Sequence, residues 1–143
     1  MISEKVRQSR RFLETEGRGQ LGQEYLYDFL SESLEGTGLV VKQMSEESHC
    51  APFDLLILKG KRVLVGIENK DLSVTTLGTW IKGRAKERKL AYAQEQGIEH
   101  TLTTVTIRDA GRIGFCRGLA NSHVMRYDFD RDHLLQEIRE ASA

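Results

Sequence analysis

Three residues in the middle of this chain, Asp54, Glu68 and Lys70, are of the types that hold a divalent cation and handle a phosphate. Carboxylates that converge repel one another unless a cation or a proton sits between them. Oxygen ligands of this kind suit a hard ion. Mg²⁺ in particular is usually held by one or two carboxylates together with water and substrate phosphate. A lysine beside such an ion is placed to meet a phosphate or an attacking water. The alternative is plain: Glu68 and Lys70 could form an ordinary surface pair at a strand end.

The elements that would position these groups lie between Pro52 and Lys70, in the stretch PFDLLILKGKRVLVGIENK. Two apolar runs joined by Lys59-Gly60-Lys61 predict a β-hairpin. Side chains alternate along a strand, so Asp54, Leu56 and Leu58 share one face of the first strand. Leu64, Gly66, Glu68 and Lys70 share one face of the second. A three-residue loop sets Leu58 opposite Arg62 and Asp54 opposite Gly66, with Glu68 diagonal to Asp54 at roughly 7 to 8 Å between Cα atoms. Gly66, lacking a side chain, would then leave room for an ion. A slip of one residue would send the two acids to opposite faces.

The whole arrangement is Pro52 shortly before an Asp, a hydrophobic strand, a tight turn, then a hydrophobic strand ending in Glu68-Asn69-Lys70. It resembles the PD-(D/E)xK phosphodiesterase superfamily, the restriction-endonuclease-like nucleases, whose motif is an Asp on one strand and Glu-x-Lys on the next. Pro52-Phe53-Asp54 departs from a strict Pro-Asp by one inserted residue. The resemblance covers the hairpin and the helices on either side of it. It implies an α/β fold with a restriction-endonuclease-like core, a mixed central sheet of about four or five strands flanked by helices in αβββαβ order. It also implies hydrolysis of DNA phosphodiester bonds by an endonuclease. Asp54 and Glu68, with the backbone carbonyl of Asn69, would hold one Mg²⁺ or Mn²⁺. An ordinary lysine is protonated at neutral pH, so Lys70 is expected to orient the nucleophile and stabilise negative charge rather than act as base. In the superfamily the helix before the first strand often carries a Glu that reaches the metal or its water. Glu24, just after Gly22, matches that position. Asp28 lies nearer the apolar stripe, and an exposed acid is the other reading of Glu24. The helix after Glu-x-Lys commonly flanks the site, which makes Arg84, Arg88 and Lys89 the expected phosphate contacts; a solvated basic face is the alternative.

Around the hairpin, residues 3 to 15 are helix-permissive, with Lys5, Arg7, Arg10 and Arg11 clustered there and Gly17-Arg18-Gly19 expected to stop the helix. From Gln20 to Leu34 the residues Leu21, Tyr25, Leu26, Phe29, Leu30 and Leu34 recur at helical spacing, closed by Gly36-Thr37-Gly38. Leu39 to Met44 reads as a strand, and the polar segment 45–50 would lead His49 toward the mouth of the site. The loop 71–79 and Trp80 follow, then a helix over 80–96. Thr101 to Ile107 is a Thr-rich strand, Asp109-Ala110-Gly111-Arg112 a turn, and 113–117 and 123–129 two further short strands. Asp130 is expected to cap a last helix with the stripe Leu134, Leu135 and Ile138.

The 143 residues are expected to form a single nuclease-like domain, 1–143. With 39% apolar and 29% charged residues, no run near the ~20 apolar residues of a membrane span and no secretory leader, a cytoplasmic protein without a membrane partner is expected. Cys50 and Cys116 form no Cys-x-x-Cys pair, so no zinc site or disulfide framework is indicated. The net charge of zero argues against indiscriminate coating of nucleic acid. Local charge differs: residues 82–89, KGRAKERK, carry five cations and one anion. DNA is the expected partner. A homodimer or higher homo-oligomer follows by analogy, because cutting both strands of a duplex usually takes two sites. Two other readings remain: a catalytically inactive nuclease-like domain that binds nucleic acid or stabilises a larger complex, and a small α/β interaction protein with no nucleic-acid role.

Overall fold

Leu26, Leu30 and Leu34, each one helical turn from the next, are almost completely removed from solvent and seat the first helix on a sheet. In the computed structural model of the chain this helix, α1, spans Gly17–Ser33. Residues 17–44, 53–71, 84–119 and 126–143 are described, with side chains from 21 onward in α1 and from 87 onward in the helix that begins at 84. The remaining elements are β1 (Leu39–Gln43), β2 (Leu55–Lys59), β3 (Arg62–Asp71), α2 (Arg84–Gln96), β4 (His100–Ile107), β5 (Arg112–Arg117) and α3 (Arg131–Ala141). A single 3₁₀ turn, Arg108–Ala110, joins β4 to β5. The expected helix over 3–15 with its four cations, His49, Cys50, Pro52, the segment 72–80 with Trp80, and residues 123–125 lie outside the described residues.

The fold is α/β. A five-stranded mixed sheet runs in the order β1-β2-β3-β4-β5. Neighbours are antiparallel except β3 and β4, which are parallel and joined through α2, as a parallel pair requires a crossover. One face carries the larger core: Leu26, Leu30 and Leu34 of α1 and Leu134 and Ile138 of α3 against Leu55, Ile57, Val65, Ile67, Leu102 and Ile113. A smaller cluster of Phe53, Leu56, Ala93, Ile98 and Leu119 joins the sheet to α2. Helices therefore cover both faces, and β3 and β4 run through the middle.

Three expectations are corrected. Gly17-Arg18-Gly19, expected to lie outside the helix that follows, forms the first turn of α1. Two glycines cost about 1 kcal/mol each in a helix interior, but the terminal turn lies ahead of the packed stripe that holds the rest of α1. The strand expected over 123–129 is, among the described residues, only a bridge between Phe115 and Asp128. There the chain leaves the sheet: Phe129 turns its ring onto Gly114 and Asp130 caps α3 by accepting from the Asp132 N–H.

The third correction concerns the hairpin register. The loop is a two-residue turn, Gly60-Lys61, with Gly60 at φ +63°, and Lys59 faces Arg62. Such short turns, with a residue in the left-handed region, match the twist of the strands. A bulge then follows beyond Leu58, so that Ile57 faces Val65, Leu56 faces Gly66 and Leu55 faces Ile67. Gly66 thus lies opposite Leu56 and not Asp54. Nor does it leave space for an ion: a Cβ there would stand 2.9 Å from the Phe53 ring, which fills the gap.

Gly22 marks the closest approach of α1 to the sheet, since a Cβ on it would meet Asp71 Cβ and Thr106 Oγ1 at 2.7 Å. Gly22→Ala should therefore destabilise the protein by about 1–3 kcal/mol despite the better helix propensity of alanine. Urea denaturation measures this, and a stabilised variant would contradict the packing described.

Candidate active site

Strand β3 is apolar from Val63 to Ile67 and then carries four polar residues, Glu68, Asn69, Lys70 and Asp71, of which all but Lys70 are buried and Lys70 is nearly so. Alternation sorts them. Asn69 and Asp71 face α1. There Thr104 Oγ1 donates to Asn69 Oδ1 at 2.9 Å, Asn69 Nδ2 donates to Thr106 Oγ1 at 3.3 Å, and Arg108 Nε pairs with Asp71 Oδ2 at 2.7 Å. Glu68 and Lys70 face the α2 side.

Asp54 immediately precedes β2, and its N–H donates to the Ile67 carbonyl at 3.0 Å, which extends the ladder by one step. Continued by that step, the register brings Asp54 level with Glu68. The Asp54 carboxyl is thereby near enough to Glu68 to feel its negative charge. Asp54 Oδ2 also accepts from the Asn69 backbone N–H at 2.8 Å. From behind, Gln23 of α1 donates through Nε2 to the carbonyls of Asp54 and Met44, both at 3.3 Å.

Charges crowd this spot. Lys70 Nζ stands 3.1 Å from Glu68 Oε1 and Lys89 Nζ 3.4 Å from Glu68 Oε2, with the three side chains only 10–12% exposed. This is a buried ion cluster and not a surface pair at a strand end, so desolvation is costly and the geometry of the partners matters. Burial, and then the negative charge of Glu68, push the Asp54 carboxyl well above the usual carboxylate range; the Asn69 N–H and Lys89 act the other way. Two acids side by side in a place poor in water favour a proton or a further cation between them. The donors are hard oxygens, which fit a divalent ion such as Mg²⁺ or Mn²⁺. They amount to two carboxylates: among the described residues no group of three or more His, Cys, Asp or Glu side chains is arranged to hold a metal.

The other expected site residues are distributed as follows. Glu24 and Asp28 are exposed on α1, whereas Gln23 is buried. Arg84 is the first residue of α2, and its side chain is outside the described set. Arg88 is exposed, while its neighbour Lys89 is buried against Glu68 and the Phe53 ring. Gln23, Thr104 and Thr106 were not anticipated. Gln23 continues the stripe of Leu26, Leu30 and Leu34 by one helical turn, a position where a polar residue signals a buried partner. The pairing of Thr104 and Thr106 with Asn69 needed the parallel register of β3 and β4.

No protein-family model and no curated protein matches this chain. No helix among the described residues is long and apolar enough to cross a membrane.

A carboxyl with a raised folded-state pKa contributes stability that is fully present below its unfolded value and is lost as pH rises through the folded value. For Asp54 the unfolded reference is 3.8 and the shift is upward. In chelator, the stability of the wild-type protein relative to Asp54→Asn should fall as pH is raised from that value toward neutrality. Denaturant melts of the two proteins across this range test it; parallel pH profiles would show that neither burial nor Glu68 shifts the Asp54 carboxyl.

Proposed function

We propose that this chain is a metal-dependent phosphodiesterase, an endonuclease acting on DNA, built on a restriction-endonuclease-like core. The observation that carries this reading is the register that sets Asp54 across from Glu68 on one side of the β2–β3 pair, with the Lys70 ammonium at Glu68. The order of elements supports it. A helix, three antiparallel strands, a helix and a parallel strand match the αβββαβ order expected of such a core, to which β5 and α3 are added.

Asp54, Glu68 and the backbone carbonyl of Asn69 are the groups that would hold the ion. When bound, a hard divalent ion supplies polarisation of a phosphate oxygen and a more acidic water. The protein's own part is placement and charge. The Asn69 N–H fixes one oxygen of Asp54. Lys70, two residues beyond Glu68 on the same face, brings an ammonium to the same point, where it orients the attacking water and stabilises the charge that grows on the phosphate. Burial of the cluster strengthens each of these interactions relative to water. Arg88, exposed on α2, supplies attraction to the DNA backbone, and affinity should weaken steeply with added salt. A pair of copies is the simplest way to cut both strands.

A panel of duplex, branched and single-stranded DNA incubated with Mg²⁺, Mn²⁺ or chelator tests the proposal. Cleavage is expected with metal and not with chelator, and Asp54→Ala and Lys70→Ala should each lower the rate by about 100-fold or more while circular dichroism stays native. A folded protein that shifts DNA on a gel but cuts none of these forms would instead be a nuclease-like binding module.

A further inference from the structure

Lys89 is the member of the cluster whose position the proposed chemistry does not explain. It comes from α2 and not from the hairpin, is 9% exposed, and points its ammonium at Glu68 Oε2. Glu68 already has an ammonium at each of its two carboxylate oxygens, Lys70 at Oε1 and Lys89 at Oε2. A divalent ion entering this spot would add two positive charges within a few ångströms of two others, in a place with little water to screen them. One ammonium must therefore withdraw. Lys70 is poorly placed to do so, because strand alternation fixes it on the same face as Glu68 two residues away. Lys89 reaches in from another element on a flexible four-carbon stem, at the longer of the two distances, and lies on the same helix as the exposed Arg88.

We infer that Lys89 is a resident counter-ion that occupies Glu68 until a divalent metal displaces it, and that the released ammonium then binds a phosphodiester oxygen of the DNA. This rests on the metal-dependent reading above and adds to it a coupling: metal and phosphodiester each strengthen the binding of the other, because each takes one end of the exchange. Lys89 thereby differs from Arg88, whose attraction for DNA needs no metal.

Calorimetric titration with Mn²⁺ tests the first half. Lys89→Met should bind Mn²⁺ about 10-fold or more tightly than the wild type, because the competing charge is gone. Lys89→Arg should keep wild-type affinity and Glu68→Gln should lose binding. Lys89→Gln, checked by circular dichroism, replaces Lys89→Met if the latter does not fold. Unchanged or weaker Mn²⁺ binding in Lys89→Met, or equal tightening in Lys89→Arg, overturns the inference and leaves the metal reading standing. Mn²⁺ binding that persists in Glu68→Gln, or that is absent from every variant, overturns both. For the second half, fluorescence anisotropy of a labelled duplex oligonucleotide is measured with Ca²⁺ and with chelator. Lys89→Met should lose affinity only with Ca²⁺, whereas Arg88→Ala should lose it in both; an equal loss for Lys89→Met in both conditions overturns the exchange.

Discussion

Glu68 can stay inside this protein because an ammonium stands at each of its oxygens. An unpaired buried carboxylate would cost several kcal/mol or would take up a proton. The surrounding architecture supplies the two cations by separate routes. Lys70 is delivered by strand alternation, and Lys89 by the helix that the parallel β3–β4 pair obliges the chain to make. The neighbouring Asp54 has the Asn69 N–H and a share of the Lys89 charge, and its pKa is raised because burial and the negative charge of Glu68 outweigh them. A carboxylate held by two ammonium groups with a second acid beside it is suited to exchanging a cation.

The same short segment of β3 is polar on its other face as well. Asn69 is held by two threonines of β4 and Asp71 by Arg108. These bonds place the peptide whose N–H grips Asp54, so the network beneath α1 and the acids on the α2 side are joined through one residue. Buried networks of this kind are rigid when every member is satisfied. The cluster also lies where β3 and β4 approach their carboxyl ends, the place where parallel strands in open α/β sheets present their sites.

The hairpin, α1, β4 and the capped α3 were legible in the sequence because each has its own pattern or cap: the four-residue spacing of Leu26, Leu30 and Leu34, the apolar runs on either side of Gly60, the threonines of β4, and Asp130 before Leu134. The register was not legible. A turn one residue shorter than expected and a bulge beyond Leu58 each move the pairing by one, and neither leaves a mark in the local pattern. The two shifts add to an even number. Asp54 and Glu68 consequently share a face as the simpler register required, but directly across from one another and not on a diagonal. The burial of Lys89 and the exposure of Arg88 were likewise hidden, because adjacent basic residues on a helix differ only in which way the helix is turned, and packing around Phe53 and Ala93 decides that.

Phe53 is the residue that breaks the Pro-Asp pattern, and it is 2% exposed, its ring seated over Gly66. The inserted residue is thus a wedge driven between sheet and α2, immediately ahead of the acid. Its neighbour in the chain inherits that immobility: Asp54 is aimed by the grip of an aromatic ring on a bare stretch of backbone. A methyl group on Gly66 would dislodge the wedge first, and the carboxylate would lose its aim while the sheet still stood.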